Sequence, residues 1–316
     1  MIINKISDSD TVRKYAETHD ILPAVTGDMA QLVGAEVCRT DEAGGLSQLE
    51  RNMTKSAAFF TPDGVLFAAG RSEYEAGIAA AVVEKCMRAA VEAEALGGAV
   101  PLNRADAEKL RADYIVNYSA AENSFRQESE RELRLRDELV EYGRKVLEAG
   151  LVRGTWGNLS ARLDERYMLA TPSGMDYMRI TPEHIVKVEI ETLKYEGPFK
   201  PTSESPLHAA IYMGRPDAGA VIHTHSDYCT AFAVARKPLK TEDPELKAII
   251  GAIAEAGGPG LPGSKELTEN TVRALGNNAG CIMANHGMLA CGKDMEQAFR
   301  RCVAMEEAAK REIERI

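Results

Sequence analysis

Apolar and polar positions alternate along this chain with two periods, and the change from one period to the other marks its elements. The stretch ESERELRLRDELVEYGRKVLEAG places Leu135, Leu139, Tyr142 and Val146 on one stripe at three- and four-residue spacing. That pattern predicts an amphipathic helix, ended by Gly150. GNLSARL, RYMLATPSG and IVKVEI follow as short runs between Gly and Pro turns and predict consecutive strands. PLHAAIYMGR reads as a helix, AGAVIHTHS as a strand and ELTENTVRAL as a helix. GCIMANHGMLACG reads as two strands around a tight turn at Gly287, and the tail DMEQAFRRCVAMEEAAKREIERI as a helix. Helices and strands that intermix in this way predict an α/β class built on one central sheet.

The chain before residue 125 has its own elements. AAFF, TPDG and VLFAAG read as strand, turn and strand. The Ala-rich EYEAGIAAAVVEKCMRAAVEAEAL is a long helix that stops at Gly97 and Gly98, and RADAEKLRADYIVNY is another. Asn123 and Ser124 read as a linker or cap, so two domains are expected, 1–125 and 126–316. An internal repeat connects them. AFFTPDGVLFAAGRSEYEAG resembles CIMANHGMLACGKDMEQAF, and upstream VTGDMAQLVGA resembles KTEDPELKAIIGA. Residues from about 22 to 95 thus read as a second copy of residues from about 238 to 312. In this alignment His286 falls on Asp63, nothing like HTH precedes it, and the first copy is expected to hold no metal.

Composition narrows the function. The 316 residues carry a formal net charge of −10, which argues against a nucleic-acid partner, since phosphate backbones need clustered Lys and Arg. RQESERELRLRDE is mixed in sign and reads as a solvated helix face. The six cysteines include no C-x-x-C pair and most sit in apolar stretches, as reduced core thiols do. MIINKISDSD lacks the apolar core of a signal peptide, and no apolar run approaches membrane-spanning length. A soluble, cytoplasmic protein without a membrane partner is expected.

The chemistry concentrates in AVIHTHSDYC. Side chains alternate along a strand, so His223 and His225 share one face while Ile222 and Thr224 take the other. Zinc and similar divalent metals take imidazole nitrogens readily, and a catalytic site leaves room for substrate. His286, at a strand end beside Gly287, is the best third ligand. Glu204 in PTSESPLH is a fourth ligand or a general base, held at a helix start by the dipole and backbone N–H groups. His19 and His184 read as surface residues. His208 shares a helix face with Glu204 and either orients it or is half-buried.

A second group of residues suits an anion. Thr155, Gly157 and Asn158 lie in a turn before a strand, Ser173 and Gly174 in another, and Thr202 and Ser203 just before Glu204. Small hydroxyls, an amide and exposed N–H groups at turns and helix starts cradle phosphate or carboxylate. Each alone is ordinary turn or capping chemistry. With the histidines they suggest a small phosphorylated or carboxylated substrate whose reactive end meets the metal.

GNLSARL, TPSG, PTSESPLH, RPDAGAVIHTHS, GSKEL and ANHGMLACG together resemble the class II aldolase/adducin family, over about residues 127 to 316. The resemblance implies a three-layer α/β/α domain with a mixed or antiparallel central sheet, the N-terminal copy being a smaller α/β half-domain outside the usual architecture. It implies a four-fold homotetramer with active sites at subunit interfaces. It implies that His223, His225 and His286 bind a divalent metal, typically zinc, with Mn2+ or Co2+ as other choices, and that Glu204 matches the aldolases' ligand and base. Thr155, Asn158, Ser173, Gly174, Thr202 and Ser203 match the substrate-phosphate pocket. The implied reaction is retro-aldol cleavage of a small ketose phosphate, probing the same metal–enediolate chemistry that serves epimerases, dehydratases and decarboxylases; a non-catalytic adducin-like module is the remaining alternative. The family's proton-donating tyrosine, some twenty residues after the histidine pair, has no counterpart in KPLKTEDPEL, where Asp243 or Glu242 is the stand-in.

Overall fold

The computed structural model describes residues 2–6, 9–52, 55–70, 73–116, 129–195 and 198–315. The chain divides into two units, Met1–Tyr118 and Ser119–Ile316. The boundary expected at residues 125–126 and the Asn123–Ser124 linker lie outside the described residues.

The first unit runs β1 (Ile2–Ile6), α1 (Asp10–Thr18), β2 (Ile21–Pro23), α2 (Gly27–Leu32), β3 (Glu36–Arg39), α3 (Glu42–Asn52), β4 (Ala58–Phe60), β5 (Leu66–Gly70), α4 (Glu73–Glu94) and α5 (Arg104–Val116). Its sheet has the order β1-β5-β4-β3-β2, with β3 and β4 parallel and the other pairs antiparallel. Phe59 and Phe67 stack at 4.7 Å and join Leu49 and Ala69 in the core on one face of this sheet. Ser9 and Thr26 cap α1 and α2, their hydroxyls accepting from Val12 N and Met29 N.

The second unit comprises α6 (Glu130–Glu148), β6 (Asn158–Arg162), β7 (Tyr167–Ala170), β8 (Val186–Glu189), α7 (Ser205–Gly214), β9 (Ala220–Thr224), α8 (Asp227–Ala235), β10 (Leu239–Lys240), α9 (Pro244–Ile250), β11 (Ile253–Ala254), β12 (Ala256–Gly257), α10 (Lys265–Leu275), β13 (Gly280–Met283), β14 (Gly287–Gly292) and α11 (Met295–Glu314). Its seven-stranded sheet has the order β12-β13-β14-β9-β6-β7-β8; only the β12–β13 pair is parallel. On one face Val221, Met283 and Leu289 pack with Leu207 and Tyr212 of α7 and Leu267 of α10. Helices α6, α8 and α11 pack on the sheet as well, completing the mixed-sheet α/β fold that the sequence led us to expect. The α6 stripe is confirmed, with Leu139, Tyr142 and Val146 buried. The reading of its first half as a solvated face holds for Glu130, Arg131, Arg134 and Asp137, which are exposed, and is corrected at two positions. Glu132 and Arg136 are buried, because Arg136 donates to Glu132 (3.0 Å) and Pro182 O (3.1 Å), and Lys187 to Glu132 (2.6 Å). The charges are inside because each has a partner.

The two units share a topology. β1-α1-β2-α2-β3-α3-β4-β5-α4 has the order and strand pairings of β9-α8-β10-α9-β11/β12-α10-β13-β14-α11. Lys5 pairs with Phe67 and Phe67 with Phe59; His223 pairs with Leu289 and Leu289 with Cys281. Lys5 therefore stands in the place of His223. Gly64 N donates to Thr61 O and His286 N to Met283 O, so Gly64 stands in the place of His286. The register thus differs by one residue from the alignment of similar letters. Similar letters had paired Asp63 with His286, whereas the strand ladders fix the register. The counterpart of His225 lies outside the described residues.

Candidate metal centre and active site

β9 is buried along its whole length, which brings the HTH motif into the middle of the sheet. The pairing of Asn158 with His223 across β6 and β9 puts both side chains on one face. Gly157, at φ +84, lets the chain pass close to that strand; a Cβ there would lie 2.8 Å from His223 O. His286 enters from the β13–β14 turn. Its neighbour Asn285 is left-handed (φ 58) and is held by α8, donating its N–H to Ala233 O (2.9 Å) and accepting from Arg236 Nε (2.8 Å). A Cβ at Gly287 would collide with Thr224 O and stand 3.2 Å from the His225 ring, so only glycine lets this turn close on the histidines.

The start of α8 is fastened too. Glu306 of α11 accepts from Ser226 Oγ (2.6 Å), Tyr228 N (2.8 Å) and Cys229 N (2.9 Å), directly after His225. Burial raises the Glu306 carboxyl, against these donors. α8 thus ties both histidine-bearing segments to the helical layer.

His223, His225 and His286 are buried and each offers a nitrogen within 4.8 Å of the others. His223 Nδ1 lies 2.8 Å from Met288 O, as a donor to that carbonyl would, which leaves its Nε2 for the cluster. That Nε2 is only 2.7 Å from His225 Nε2. Two imidazole lone pairs cannot face each other at this distance, so a proton or a cation belongs between them. Three convergent imidazole nitrogens in a buried pocket suit a divalent metal such as zinc.

Glu204 does not use its place at the start of α7 as expected: it makes no side-chain cap there. Its carboxylate turns instead to the histidines, 2.9 Å from His286 Nε2 and 3.4 Å from His223 Nε2, and accepts from Asn158 Nδ2 (3.0 Å). Burial opposes its ionisation, but His223, His286 and Asn158 outweigh that and hold the carboxyl well below the usual range. His208 takes neither role weighed for it. It is fully buried with Nδ1 on Ser160 Oγ (2.7 Å), and burial pushes it down to about 4. His19 and His184 are half-buried; His19 stacks on Tyr15 and His184 accepts from Thr181 N.

Several of the expected anion residues lie on turns joined to the segment that leads into Glu204. Ser173 N donates to Lys200 O (2.9 Å), Thr202 N to Thr171 O (3.0 Å), and Pro172 bridges Pro201, stitching the turn of Ser173 and Gly174 to that of Thr202 and Ser203. Ser173, Gly174 and Ser203 are exposed, Thr155 and Gly157 half-buried, Asn158 and Thr202 buried. Exposed Ser203 and buried Thr202 thus directly precede the buried carboxylate in the chain. Asp243, the candidate for the acid, lies at the start of α9. It caps α9, accepting from Glu245 N (3.0 Å) and Leu246 N (3.1 Å), and pairs with Arg311. The Leu246 N–H leads the contacts that lower its carboxyl, and a carboxylate so held is a poor proton donor.

Two side chains escaped the sequence reading. Trp156, between Thr155 and Gly157, stacks on His225 with ring centroids 6.0 Å apart. Tyr177 is buried three residues after Gly174. Neither residue forms a spacing pattern; only their packing sets them apart.

The chain is similar to known proteins. A family model described as Class II Aldolase and Adducin N-terminal domain matches residues 137–313. The 5-methylthioribulose-1-phosphate/5-deoxyribulose-1-phosphate aldolase of Rhodospirillum rubrum is 35% identical over 176 residues, 56% of this chain and 79% of that protein. The L-fuculose phosphate aldolase of Escherichia coli K12 is 34% identical over 173 residues, 52% of this chain and 76% of its own length. A solved L-fuculose 1-phosphate aldolase structure superposes with a TM-score of 0.54 at 34% identity, covering 56% of this chain and 84% of that one.

Proposed function

The chain belongs to the class II aldolase and adducin family, and from that membership we propose a metal-dependent aldolase that cleaves a small ketose phosphate to dihydroxyacetone phosphate and an aldehyde. The observation that carries this reading is a buried carboxylate set against three convergent imidazoles. Relatives named as aldolases of fuculose, methylthioribulose and deoxyribulose phosphates support the substrate class.

His223, His225 and His286 would hold the cation, zinc being the first choice and Mn2+ or Co2+ the alternatives. When bound, it supplies Lewis-acid stabilisation of the negative charge that C–C cleavage leaves on one fragment. The chain's own groups do the rest. Thr155, Asn158, Ser173, Gly174, Thr202 and Ser203 hold the phosphate and so fix the ketose. Glu204, ionised at rest, takes up a proton from water and delivers it to the carbon that loses its bond, and in the reverse direction removes it. The hydroxyl on the departing carbon passes its proton to water as it becomes the aldehyde.

The N-terminal unit, with Lys5 and Gly64 in the places of His223 and His286, is proposed as a copy of the catalytic unit's second half that serves structure, not catalysis. A homotetramer in the cytoplasm completes the proposal; among the described residues no helix is long and apolar enough to cross a membrane.

Elemental analysis of the purified protein beside His223→Ala/His225→Ala tests the centre. Close to one divalent metal per chain, lost in the variant, is expected, together with aldehyde release from a ketose-1-phosphate panel. A protein that stays metal-free when zinc is supplied would overturn the reading.

A further inference from the structure

Tyr177 is 2% exposed, and its hydroxyl is shielded from solvent without a hydrogen-bond partner. Buried tyrosine hydroxyls nearly always have one. Its ring has little freedom to seek another place, since α6 presents Gly143, where a Cβ would stand 2.8 Å from Tyr177 Cδ1. The segment that carries it is the one stitched at Ser173, Pro172 and Thr171 to residues 200–202, next to Glu204. Burial, and after it the Glu204 charge, raises the Tyr177 phenol, so the hydroxyl keeps its proton and remains a donor.

Glu204 has the complementary shortage. Its Oε2 accepts from Asn158. Its Oε1 is buried and lies 2.9 Å from His286 Nε2, but without the alignment of a hydrogen bond. That contact also disappears in the working site. Once the nitrogens of His286 and His223 are given to a cation, neither can offer Glu204 a proton. A buried carboxylate oxygen then lacks a donor, while the buried Tyr177 hydroxyl, whose phenol feels the Glu204 charge, lacks an acceptor.

We propose that Tyr177 is a positioning residue whose hydroxyl donates to the Glu204 carboxylate when the three histidines are engaged by a cation and a ligand. This rests on the metal reading above. It gives Glu204 a fixed place from which to work as a base, with Asn158 on its other oxygen.

The test uses the full chain, Co2+ and acetohydroxamate, a small bidentate ligand that needs no knowledge of the natural sugar. Tyr177→Phe keeps the ring and its packing on Gly143. We expect its Co2+ affinity to stay within about twofold of wild type while acetohydroxamate binding to the Co2+ form weakens about tenfold, the scale of a hydrogen bond to a charged group. Glu204→Gln is the second arm: adding Tyr177→Phe to it should cost less affinity than in the wild-type background, because only a neutral amide acceptor remains. Equal acetohydroxamate affinity in wild type and Tyr177→Phe overturns the proposal while leaving the metal centre intact. Additive losses in the double variant overturn it as well, by showing two independent effects. A wild-type protein that binds no Co2+ removes the metal reading and the proposal together, and so is a distinguishable failure.

Discussion

His208 shows how one buried side chain sets a pH limit for the fold. It is neutral inside the protein, with its pKa pushed down by burial to about 4, whereas in the unfolded chain it protonates near 6.5. Below that value the unfolded state binds the extra proton, so stability is full above pH 6.5 and drains as pH falls toward 4. The loss amounts to about 3 kcal/mol. Urea unfolding between pH 7 and 4 should show this slope, and His208→Asn should flatten it. Gly157 offers a steric counterpart. Gly157→Ala must fit a Cβ 2.7 Å from Val152 Cγ1 and 2.8 Å from His223 O at a positive φ. A loss of about 2 kcal/mol and a metal-deficient protein are expected, read by thermal melting and elemental analysis. The histidine cluster was legible because period two aligns His223 with His225 whatever the rest of the fold does. Glu204 was legible as a group but not in its contacts, since turning away from its helix depends on imidazoles that arrive from β9 and β14. Tyr177 and Trp156 stayed hidden because a buried ring in a turn leaves no periodic trace.

Among the elements, α8 went unread for a physical reason. From Cys229 to Ala235 every residue is buried, so the helix has no polar face to betray its period. The amphipathic α6, α10 and α11 were plain by contrast. Yet α8 is the element that braces the centre, through Glu306 at its start and through Arg236 and Ala233 on Asn285 at its end. Arg236→Ala should leave the histidines in place but free the Asn285 side chain. A metal affinity about tenfold weaker, measured by competition with a chromophoric chelator, is the expected result; unchanged affinity would mean that the backbone bond to Ala233 suffices. The short β10, β11 and β12, two residues each, are below what alternation can register.

At the level of the whole molecule the repeated topology predicts a stoichiometry. Two copies of the same strand-and-helix order are present, but Lys5 and Gly64 replace two of the three imidazoles in the first. A saturating zinc titration should therefore end at one tight equivalent per chain; two would show that the first unit has acquired other ligands. The repeat itself was visible in the sequence from residue 22 onward. Its extension back to β1 and α1 was not, because shared pairing survives where shared letters do not. One further property belongs to the entire chain. It contains a single tryptophan, and that indole is stacked on His225. All of the protein's tryptophan emission is consequently a report from one imidazole: Co2+ entering the centre should quench it in step with occupancy, and the molecule carries its own optical gauge of how full its site is.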